Sequence, residues 1–411
     1  MDIMKKRWLI LFASCLVTLC AGSLYAWSVF ATPMAAYLSS LSGTQIASLA
    51  IVFTVANSVG PITMISGGAI NDRIGPRWIL IIGGLLFGSG MIGSGLVTSV
   101  TGLIIAYGLG VGLGVGMVYG TIVSNAVKFF PDKAGLAGGL TTACYGGSSI
   151  IIPIIATALL SKYEITSCFK ILGAVMGLII ILSSFVIEAC PAGFTVAGAD
   201  NKKGSKAAAP AVDYTWRQML AEKKFYLMLV VLMCGAFGGM MIISQASPLA
   251  QNMMAFTPAA AAAVVSILAF FNMLGRLASG MISDKLGAEG TMKITFSLSC
   301  AACVLLFFSR AGQNAMFYIG LSVVGFSFGS IMGIYPGYTA RQFGRWNNSV
   351  NYGIMFIGFA LAGLFGPMIM NMIYSSTGKY QPAFLVSAAL SAVGLCLVFV
   401  LDSLSKRSSL R

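Results

Sequence analysis

The sequence contains no histidine and few charged residues. Asp, Glu, Lys and Arg together make up 9% of the 411 residues, and only 11 residues are acidic. Without histidine, the chain lacks the most common metal ligand and the usual proton carrier near neutral pH. It also lacks the Gly-x-x-x-x-Gly-Lys-Ser/Thr motif that binds ATP phosphates. We therefore expect no metal, no cofactor and no ATP-driven pump. A membrane enzyme is disfavoured, because no acid–base pair lies within an apolar segment.

Apolar residues dominate the chain instead. They make up 58% of the sequence, a share typical of proteins that cross a membrane several times. A helix needs about 20 apolar residues to span a bilayer. Twelve such runs are present, with centres near residues 20, 57, 88, 113, 147, 178, 236, 270, 300, 326, 362 and 391. The sequence therefore predicts an all-α membrane protein with twelve transmembrane helices in a lipid bilayer.

The net charge of +14 is explained by the distribution of basic residues among the loops. If the N-terminus is cytoplasmic, most of the 25 Lys and Arg residues fall in loops on the cytoplasmic side. This bias follows the positive-inside rule, which predicts that both termini are cytoplasmic. Because the basic residues are spread over many loops, we expect no nucleic-acid partner. We expect a monomer in a cell membrane, either a bacterial inner membrane or a plasma membrane.

The chain divides into two halves that repeat each other. Residues 191–223 are rich in Gly, Ala, Pro and Lys, so they are predicted to be a cytoplasmic linker between residues 1–190 and residues 224–411. Three landmarks recur at nearly one offset, which indicates an internal duplication of a six-helix half. The recurring pairs are Asp72 with Asp284 (212 residues apart), Phe130 with Phe343 (213) and Pro153 with Pro367 (214).

The fourth apolar run carries glycines at positions 108, 112, 116 and 120. A spacing of four residues puts them on one face of a helix. Small residues at this spacing let a second helix approach closely within a membrane. They do not form a phosphate-binding loop, since no strand precedes them. We predict a close helix–helix contact along this face.

Arg276 is the one charged residue that lies within an apolar run rather than in a loop or near a helix end. An ionisable group inside a hydrophobic span is costly and by default marks a substrate or ion pathway. Asn272 lies one turn earlier on the same helix face. The alternative is that Arg276 extends to the membrane interface, about 12 Å away at Asp284. We expect the substrate to bind beside Arg276.

Two short sequences resemble the signature of the major facilitator superfamily, which lies between the second and third helices of each half. The first comprises Gly68, Asp72, Arg73, Gly75 and Arg77, and the second comprises Gly280, Asp284, Lys285 and Gly287. The resemblance implies a gating role for both motifs. We expect the acidic residues to brace the gate by ion pairing and helix capping.

A further segment, GVGMVYGTIVSNAVKFFPDKAGLAGG, is similar to the oxalate/formate antiporter branch, which is related to the monocarboxylate transporters. This resemblance covers essentially the whole chain and implies a substrate site around Arg276. Two substitutions change that site: Phe359 stands where the oxalate transporter has a lysine, and Leu24 where it has a glutamine. The aromatic positions of that transporter correspond here to Phe328, Met332 and Phe356. A single guanidinium with an apolar wall suits one carboxylate with a small organic tail.

The same resemblance bears on proton coupling. Monocarboxylate transporters have an aspartate four residues before this arginine, and it takes part in proton coupling. Here that residue is Asn272, which cannot carry a proton in the same way, so the resemblance does not imply the same proton route. We expect Asn272 and three tyrosines, Tyr25, Tyr119 and Tyr145, to donate or accept hydrogen bonds at the substrate site. Packing between helices explains the tyrosines about as well.

The predicted function is secondary transport of small monocarboxylates of the lactate and pyruvate type by alternating access. Coupling to protons by symport is favoured from the resemblance, with protons as possible partners. Anion exchange is the alternative, because an empty site would leave Arg276 as a bare cation. A non-transporting membrane sensor built on a transporter fold is a less favoured reading, since the linker and tails contain no recognisable signalling domain.

Overall fold

The computed structural model describes residues 3–46, 48–191, 193–196 and 213–408, without the side chains of residues 258, 259 and 406–408. Every regular element in these residues is a helix, and twelve of the helices are long and apolar enough to cross a membrane. The all-α fold with twelve membrane helices is therefore confirmed. The helices are α1 (Ile3–Ser42), α2 (Ala50–Ile74), α3 (Pro76–Ser94), α4 (Val100–Phe129), α5 (Ala134–Leu160), α6 (Ile165–Ser183), α7 (Lys223–Met253), α8 (Pro258–Leu286), α9 (Ala288–Phe308), α10 (Asn314–Phe343), α11 (Asn348–Thr377) and α12 (Gln381–Ser408).

Four of these helices depart from regular α geometry, and the sequence analysis predicted none of the four departures. A 3₁₀ turn at Gly22–Ala26 interrupts α1, and α11 is interrupted at Phe356. Turns of π-helix occupy Ile104–Val111 in α4 and Leu249–Met253 in α7. Such interruptions are common at functional sites and hinges.

A short helix, Trp216–Ala221, precedes α7. Its first turn is fixed by a capping box, in which the Thr215 backbone N–H donates to the Gln218 side chain at 2.8 Å. This helix falls within the predicted linker 191–223. Residue 192 and residues 197–212 of that linker lie outside the described residues. The division into residues 1–190, 191–223 and 224–411 stays a prediction.

Contacts between residues divide the chain into two compact units. Unit 1 comprises Met1–Pro131, Cys144–Val196 and Arg345–Ile354. Unit 2 comprises Asp132–Ala143, Ala197–Gly344 and Met355–Arg411. The beginning of α5 therefore packs within unit 2, and the beginning of α11 packs within unit 1.

The glycine face of α4 packs directly on α2 in unit 1. A Cβ atom at Gly116 would lie 2.1 Å from the Gly60 carbonyl oxygen, so only glycine allows this approach. The facing pairs are Gly112 with Ala56, Gly116 with Gly60 and Gly120 with Met64. The close contact predicted along this face is confirmed.

The same contact occurs in unit 2 between α10 and α8. A Cβ atom at Gly329 would lie 2.0 Å from the Asn272 carbonyl oxygen. The facing pairs are Gly325 with Leu268, Gly329 with Asn272 and Gly333 with Arg276. The residues of α8 follow their counterparts in α2 by 212 positions, and the glycines of α10 follow those of α4 by 213. This repetition of contacts supports the duplication inferred from the sequence.

The turns after α2 and α8 also repeat. Gly75 and Gly287 have positive φ angles of 86° and 82°, in the region that side chains other than glycine rarely adopt. Each glycine ends one helix and lets the next begin at the following residue. Gly75 and Gly287 are thus explained by backbone geometry.

Candidate functional site

Arg276 lies in the interior of α8 and is 2% exposed. It therefore does not extend to an interface. Its Nε donates to the Asn272 side-chain oxygen at 3.1 Å, as expected for residues one helical turn apart. One Nη1 hydrogen is donated to the carbonyl oxygen of Thr142 in α5, also at 3.1 Å.

The positive charge of Arg276 is not paired with a carboxylate in the part of the chain that the structure describes. Its two acceptors, the Asn272 amide and the Thr142 carbonyl, are neutral. A guanidinium has five N–H donors in a planar fork. The two hydrogen bonds leave the Nη2 hydrogens and one Nη1 hydrogen without a bonded acceptor among the described residues. That edge has the geometry that binds a carboxylate with two parallel hydrogen bonds.

Two glycines fix the backbone of Arg276. A Cβ atom at Gly333 of α10 would lie 2.2 Å from the Arg276 carbonyl oxygen, and one at Gly139 of α5 would lie 2.6 Å from it. The backbones of α5 and α10 therefore both lie directly against Arg276. Close packing of this kind leaves the residue little freedom to move.

Aromatic rings surround this part of unit 2. The Phe328 ring centre lies 5.9 Å from the guanidinium carbon of Arg276, within the range of a cation–π contact. Phe356 stacks on Phe359 at 4.5 Å, and Phe359 lies 6.4 Å from Phe328. Met332 is buried on the same helix as Phe328. The three predicted phenylalanines therefore form one apolar group, and Phe328 is the member in contact with the arginine.

The three predicted tyrosines form a cluster within unit 1. The Tyr145 ring lies 5.3 Å from Tyr25 and 4.6 Å from Tyr119. Tyr25 and the buried Leu24 belong to the 3₁₀ turn of α1. A Cβ atom at Gly22 would lie 2.2 Å from the Tyr145 carbonyl oxygen, so this turn packs closely on α5.

The acidic residue of the second motif, Asp284, caps the start of α5. Its carboxylate accepts hydrogen bonds from the backbone N–H groups of Gly135 and Leu136, both at 2.8 Å. It also pairs with the Arg341 guanidinium. A carboxylate at a helix N-terminus is stabilised by the free N–H groups and by the helix dipole. Gly280 makes room for this contact, since a Cβ atom there would lie 2.3 Å from the Gly135 carbonyl oxygen.

Asp72 of the first motif makes the same contacts within unit 1. It pairs with Lys128 at 2.6 Å and accepts from the Val350 N–H at the start of α11 at 3.1 Å. Gly68 again lies against the backbone of the capped helix, at Ser349. The ion pairing and capping expected of both acidic residues are present. Their role in gating stays a prediction. The other charged members of the two motifs, Arg73, Arg77 and Lys285, are exposed.

Sequence reasoning missed three partners in these sites. The Thr142 carbonyl left no signal, because any residue type presents the same backbone oxygen. The sequence did contain a signal for Lys128 and Arg341, since they are 213 residues apart like the other repeated landmarks. Among the described residues, no group of three or more Cys, Asp or Glu side chains is close enough to hold a metal ion.

Residues 8–355 match the family model described as Major Facilitator Superfamily. The chain is 29% identical over 410 residues to the oxalate:formate antiporter of Oxalobacter formigenes, and this match covers 98% of this chain and 94% of that protein. It is 22% identical over 331 residues to monocarboxylate transporter 13 of Rattus norvegicus, covering 80% and 74%. The solved structure of the human organic anion transporter MFSD10 superposes with a TM-score of 0.73 at 13% identity, and the match covers 96% of this chain and 99% of that chain.

These similarities confirm the resemblance inferred from the two motifs and from the segment through α4 and α5. Together with the twelve apolar helices, they also confirm a multi-pass protein of the cell membrane. The family match covers well over half of the chain. The protein therefore belongs to the Major Facilitator Superfamily.

Proposed function

We propose that this protein is a secondary transporter of small monocarboxylates of the lactate and pyruvate type, with the carboxylate bound to Arg276. The observation that carries the proposal is a guanidinium that is 2% exposed and has no carboxylate partner among the described residues. A buried charge without a counter-ion is costly, and an anion would neutralise it. The relatives named as an oxalate:formate antiporter and a monocarboxylate transporter support a small organic anion.

A single carboxylate suits the unit 2 site better than two. Arg276 supplies one cation, and Phe359 occupies the position at which a second cation was expected from the resemblance. The rings of Phe328, Phe356 and Phe359 offer apolar contact to a short carbon chain. We propose that the carboxylate binds the free edge of the guanidinium and that the organic tail contacts the aromatic rings.

Alternating access follows from the cost of the unpaired charge. When the empty site closes and excludes water, the charge of Arg276 is left with two neutral acceptors, the Asn272 amide and the Thr142 carbonyl. A bound carboxylate removes that cost, so substrate should favour the occluded state. We propose that Asp72 and Asp284 act as structural switches, since each holds the beginning of a helix by backbone N–H groups.

Proton symport is the proposed coupling, with the acid and its proton crossing together. Anion exchange is the second candidate, and a specific observation favours it. Arg276 cannot lose its proton in practice, and Asn272, the side chain beside it, does not titrate. A carrier whose empty site stays charged should return across the membrane more easily with another anion bound.

The orientation and the tyrosine cluster complete the proposal. We propose that both termini are cytoplasmic, because the basic loops then lie on that side. The expectation that Tyr25, Tyr119 and Tyr145 contribute hydrogen bonds to the substrate stays a prediction. Replacing each by phenylalanine keeps the ring contacts and removes the hydroxyl, so a rise in KM would support substrate contact.

The test is reconstitution of the purified protein into liposomes, with labelled lactate outside. One set of liposomes is empty and carries an inward proton gradient, and the other contains unlabelled lactate without a gradient. Arg276→Met in the same liposomes is the control for leakage. Accumulation driven by the gradient supports symport, whereas uptake that requires internal lactate supports exchange.

Two further results would contradict parts of the proposal. Exchange of oxalate and formate without movement of lactate would show that Phe359 does not restrict the site to monocarboxylates. Lactate binding without flux in either set of liposomes would favour a sensor over a carrier.

A further inference from the structure

The acidic turn of unit 1 lies beside buried polar side chains that have no hydrogen-bond partner among the described residues. Asn348 is fully buried, and neither its Oδ1 nor its Nδ2 is bonded. Ser124 is fully buried with an unbonded hydroxyl. Asn71 is 4% exposed, and its Oδ1 is unbonded. Buried polar groups in proteins nearly always have a partner, which is often an ordered water molecule.

The helix register brings Ser124 to the acidic turn. The glycine face of α4 meets α2 at intervals of four residues on each helix. One turn before Ser124, Gly120 contacts Met64, and one turn after it, Lys128 pairs with Asp72. Ser124 lies midway between Gly120 and Lys128, so it faces Gly68, which lies midway between Met64 and Asp72.

The two asparagines meet at the same place. A Cβ atom at Gly68 would lie 2.7 Å from the Ser349 backbone, so the start of α11 lies against Gly68. Asn71 donates from Nδ2 to the Ser349 hydroxyl at 2.7 Å. Asn348 is the residue next to Ser349. The three unsatisfied side chains therefore belong to segments that meet beside Asp72.

The equivalent region of unit 2 is closed by direct contact between backbones. The residues at the repeated positions are Gly337 in place of Ser124, Ala134 in place of Asn348 and Ser283 in place of Asn71. A Cβ atom at Gly337 would lie 3.2 Å from the Ala134 carbonyl group. The Ser283 hydroxyl donates to the Gly280 carbonyl oxygen at 2.8 Å. None of these three residues has an unbonded buried side-chain atom.

The chemistry of the unsatisfied atoms selects their ligand. Asn348 needs both an acceptor for Nδ2 and a donor for Oδ1, and exchanging the two atoms in the amide does not change this need. A metal cation satisfies only the oxygens, and the nearby Lys128 ammonium would repel it. An anion satisfies only Nδ2 and the Ser124 hydroxyl. Water donates and accepts, so it satisfies every one of these atoms.

We propose that α2, α4 and the beginning of α11 enclose a binding site for a small cluster of water molecules beside Asp72. The cluster lies beside the ion pair of Asp72 with Lys128, whose side chains are only 6% and 7% exposed. Water reduces the cost of separating two opposite charges. The ion pair of Asp72 should therefore separate at a lower cost with the water cluster present than without it. This inference does not depend on the identity of the transported substrate.

The first test is an experimental structure of the full chain at a resolution that shows ordered water. We expect at least two water molecules within hydrogen-bond distance of Asn348 or Ser124, and none beside Gly337. An Asn348 side chain that contacts only carbon atoms, with no water density, would overturn the proposal.

The second test measures thermal unfolding in detergent. Asn348→Leu keeps the approximate volume and removes the polar atoms, and Ser124→Ala removes the unbonded hydroxyl. If water binds here, both variants lose its hydrogen bonds, and Tm falls by about 2 °C or more. In a dry site they would remove unsatisfied groups, so an unchanged or raised Tm would overturn the proposal. Ser94→Ala is the matched control, because its buried hydroxyl already donates to the Gly90 carbonyl oxygen at 2.7 Å.

Discussion

Met64 and Arg276 occupy equivalent positions in the two repeats. Met64 lies against Gly120 of α4, and Arg276 lies against Gly333 of α10. The same helix contact therefore involves a methionine in unit 1 and an arginine in unit 2. Because an uncharged side chain of similar length fits this position in one unit, packing alone does not require the arginine in the other.

We expect Arg276→Met to slow transport strongly and to raise stability. The variant copies the residue found in unit 1 and removes a buried charge that has no counter-ion. Loss of a charge-assisted bond to the carboxylate should lower the rate of lactate uptake by about 100-fold. Removing the buried charge should raise Tm in detergent. Uptake into liposomes and thermal unfolding are measured on the same preparation.

Arg310→Met is the matched control for this variant. Arg310 is exposed and donates only to nearby backbone carbonyl groups of its own segment. Its loss should leave both uptake and Tm unchanged within about 0.5 kcal/mol of stability. Lactate uptake at the normal rate in Arg276→Met would contradict the proposed role of the arginine.

Asn272→Asp should make transport depend on pH. The new carboxylate would lie where the amide oxygen now accepts from Arg276 at 3.1 Å. When ionised, it would pair with the guanidinium and compete with the substrate, so KM should rise about tenfold near pH 7. Protonation at lower pH removes this competition. Uptake by the variant should therefore recover as pH falls, relative to the unaltered protein, and a pH profile identical in shape would count against the model of competition.

Gly333→Ala should damage both folding and transport. Its new Cβ would lie 2.2 Å from the Arg276 carbonyl oxygen, so α8 or α10 has to move. We expect a loss of about 1–3 kcal/mol of stability and a large loss of lactate uptake, because the arginine is displaced. Gly290→Ala is the control, since the nearest atom to its added Cβ is 3.8 Å away. That control should be neutral or slightly stabilised, and equal losses in both variants would show that the close contact is not responsible.

Cys190 should react slowly with maleimides in the folded protein. It follows α6, outside the membrane helices, and its thiol donates to the Lys128 carbonyl oxygen at 3.4 Å. Burial raises the pKa of the Cys190 thiol to about 11, although the nearby charges of Arg345 and Lys128 lower it. The thiolate is the reactive form, so labelling near pH 7 should be far slower than in the unfolded protein.

The raised pKa of Cys190 also sets a direction for stability. The folded protein holds the thiol proton more tightly than the unfolded chain does. Any contribution of this group to stability is therefore complete below the ordinary thiol pKa of about 9 and declines between about pH 9 and 11. Comparing Tm across this range with Cys190→Ser isolates the effect. Rapid labelling of the folded protein at pH 7 would contradict the burial of the thiol.

Long apolar runs and repeated landmarks made the helices, the duplication and the glycine contact of α4 predictable. These features depend on local composition and on regular spacing, both of which are visible in one sequence. The grouping of Phe328 with Phe356 and Phe359 came from the resemblance rather than from spacing. Arg276 was identified because a charge inside an apolar run is rare.

The missing details are those that depend on backbone contacts between distant segments. The bond from Arg276 to the Thr142 carbonyl oxygen joins residues 134 positions apart and involves an atom that every residue has. The interruption of α11 at Phe356 has no glycine or proline at that position to signal it. The exchange of helix ends between the two units likewise depends on packing that no local pattern encodes.

The exchange of helix ends suggests how such a chain can arise. Asp284 caps a helix that begins in the first half of the sequence, and Asp72 caps one that begins in the second half. Such an exchange of equivalent elements between two copies is the arrangement of a domain-swapped dimer. An ancestral copy of six helices that made the same contacts would have capped a helix of a second copy. Fusion of the two gene copies would then have joined both members of such a dimer in one polypeptide.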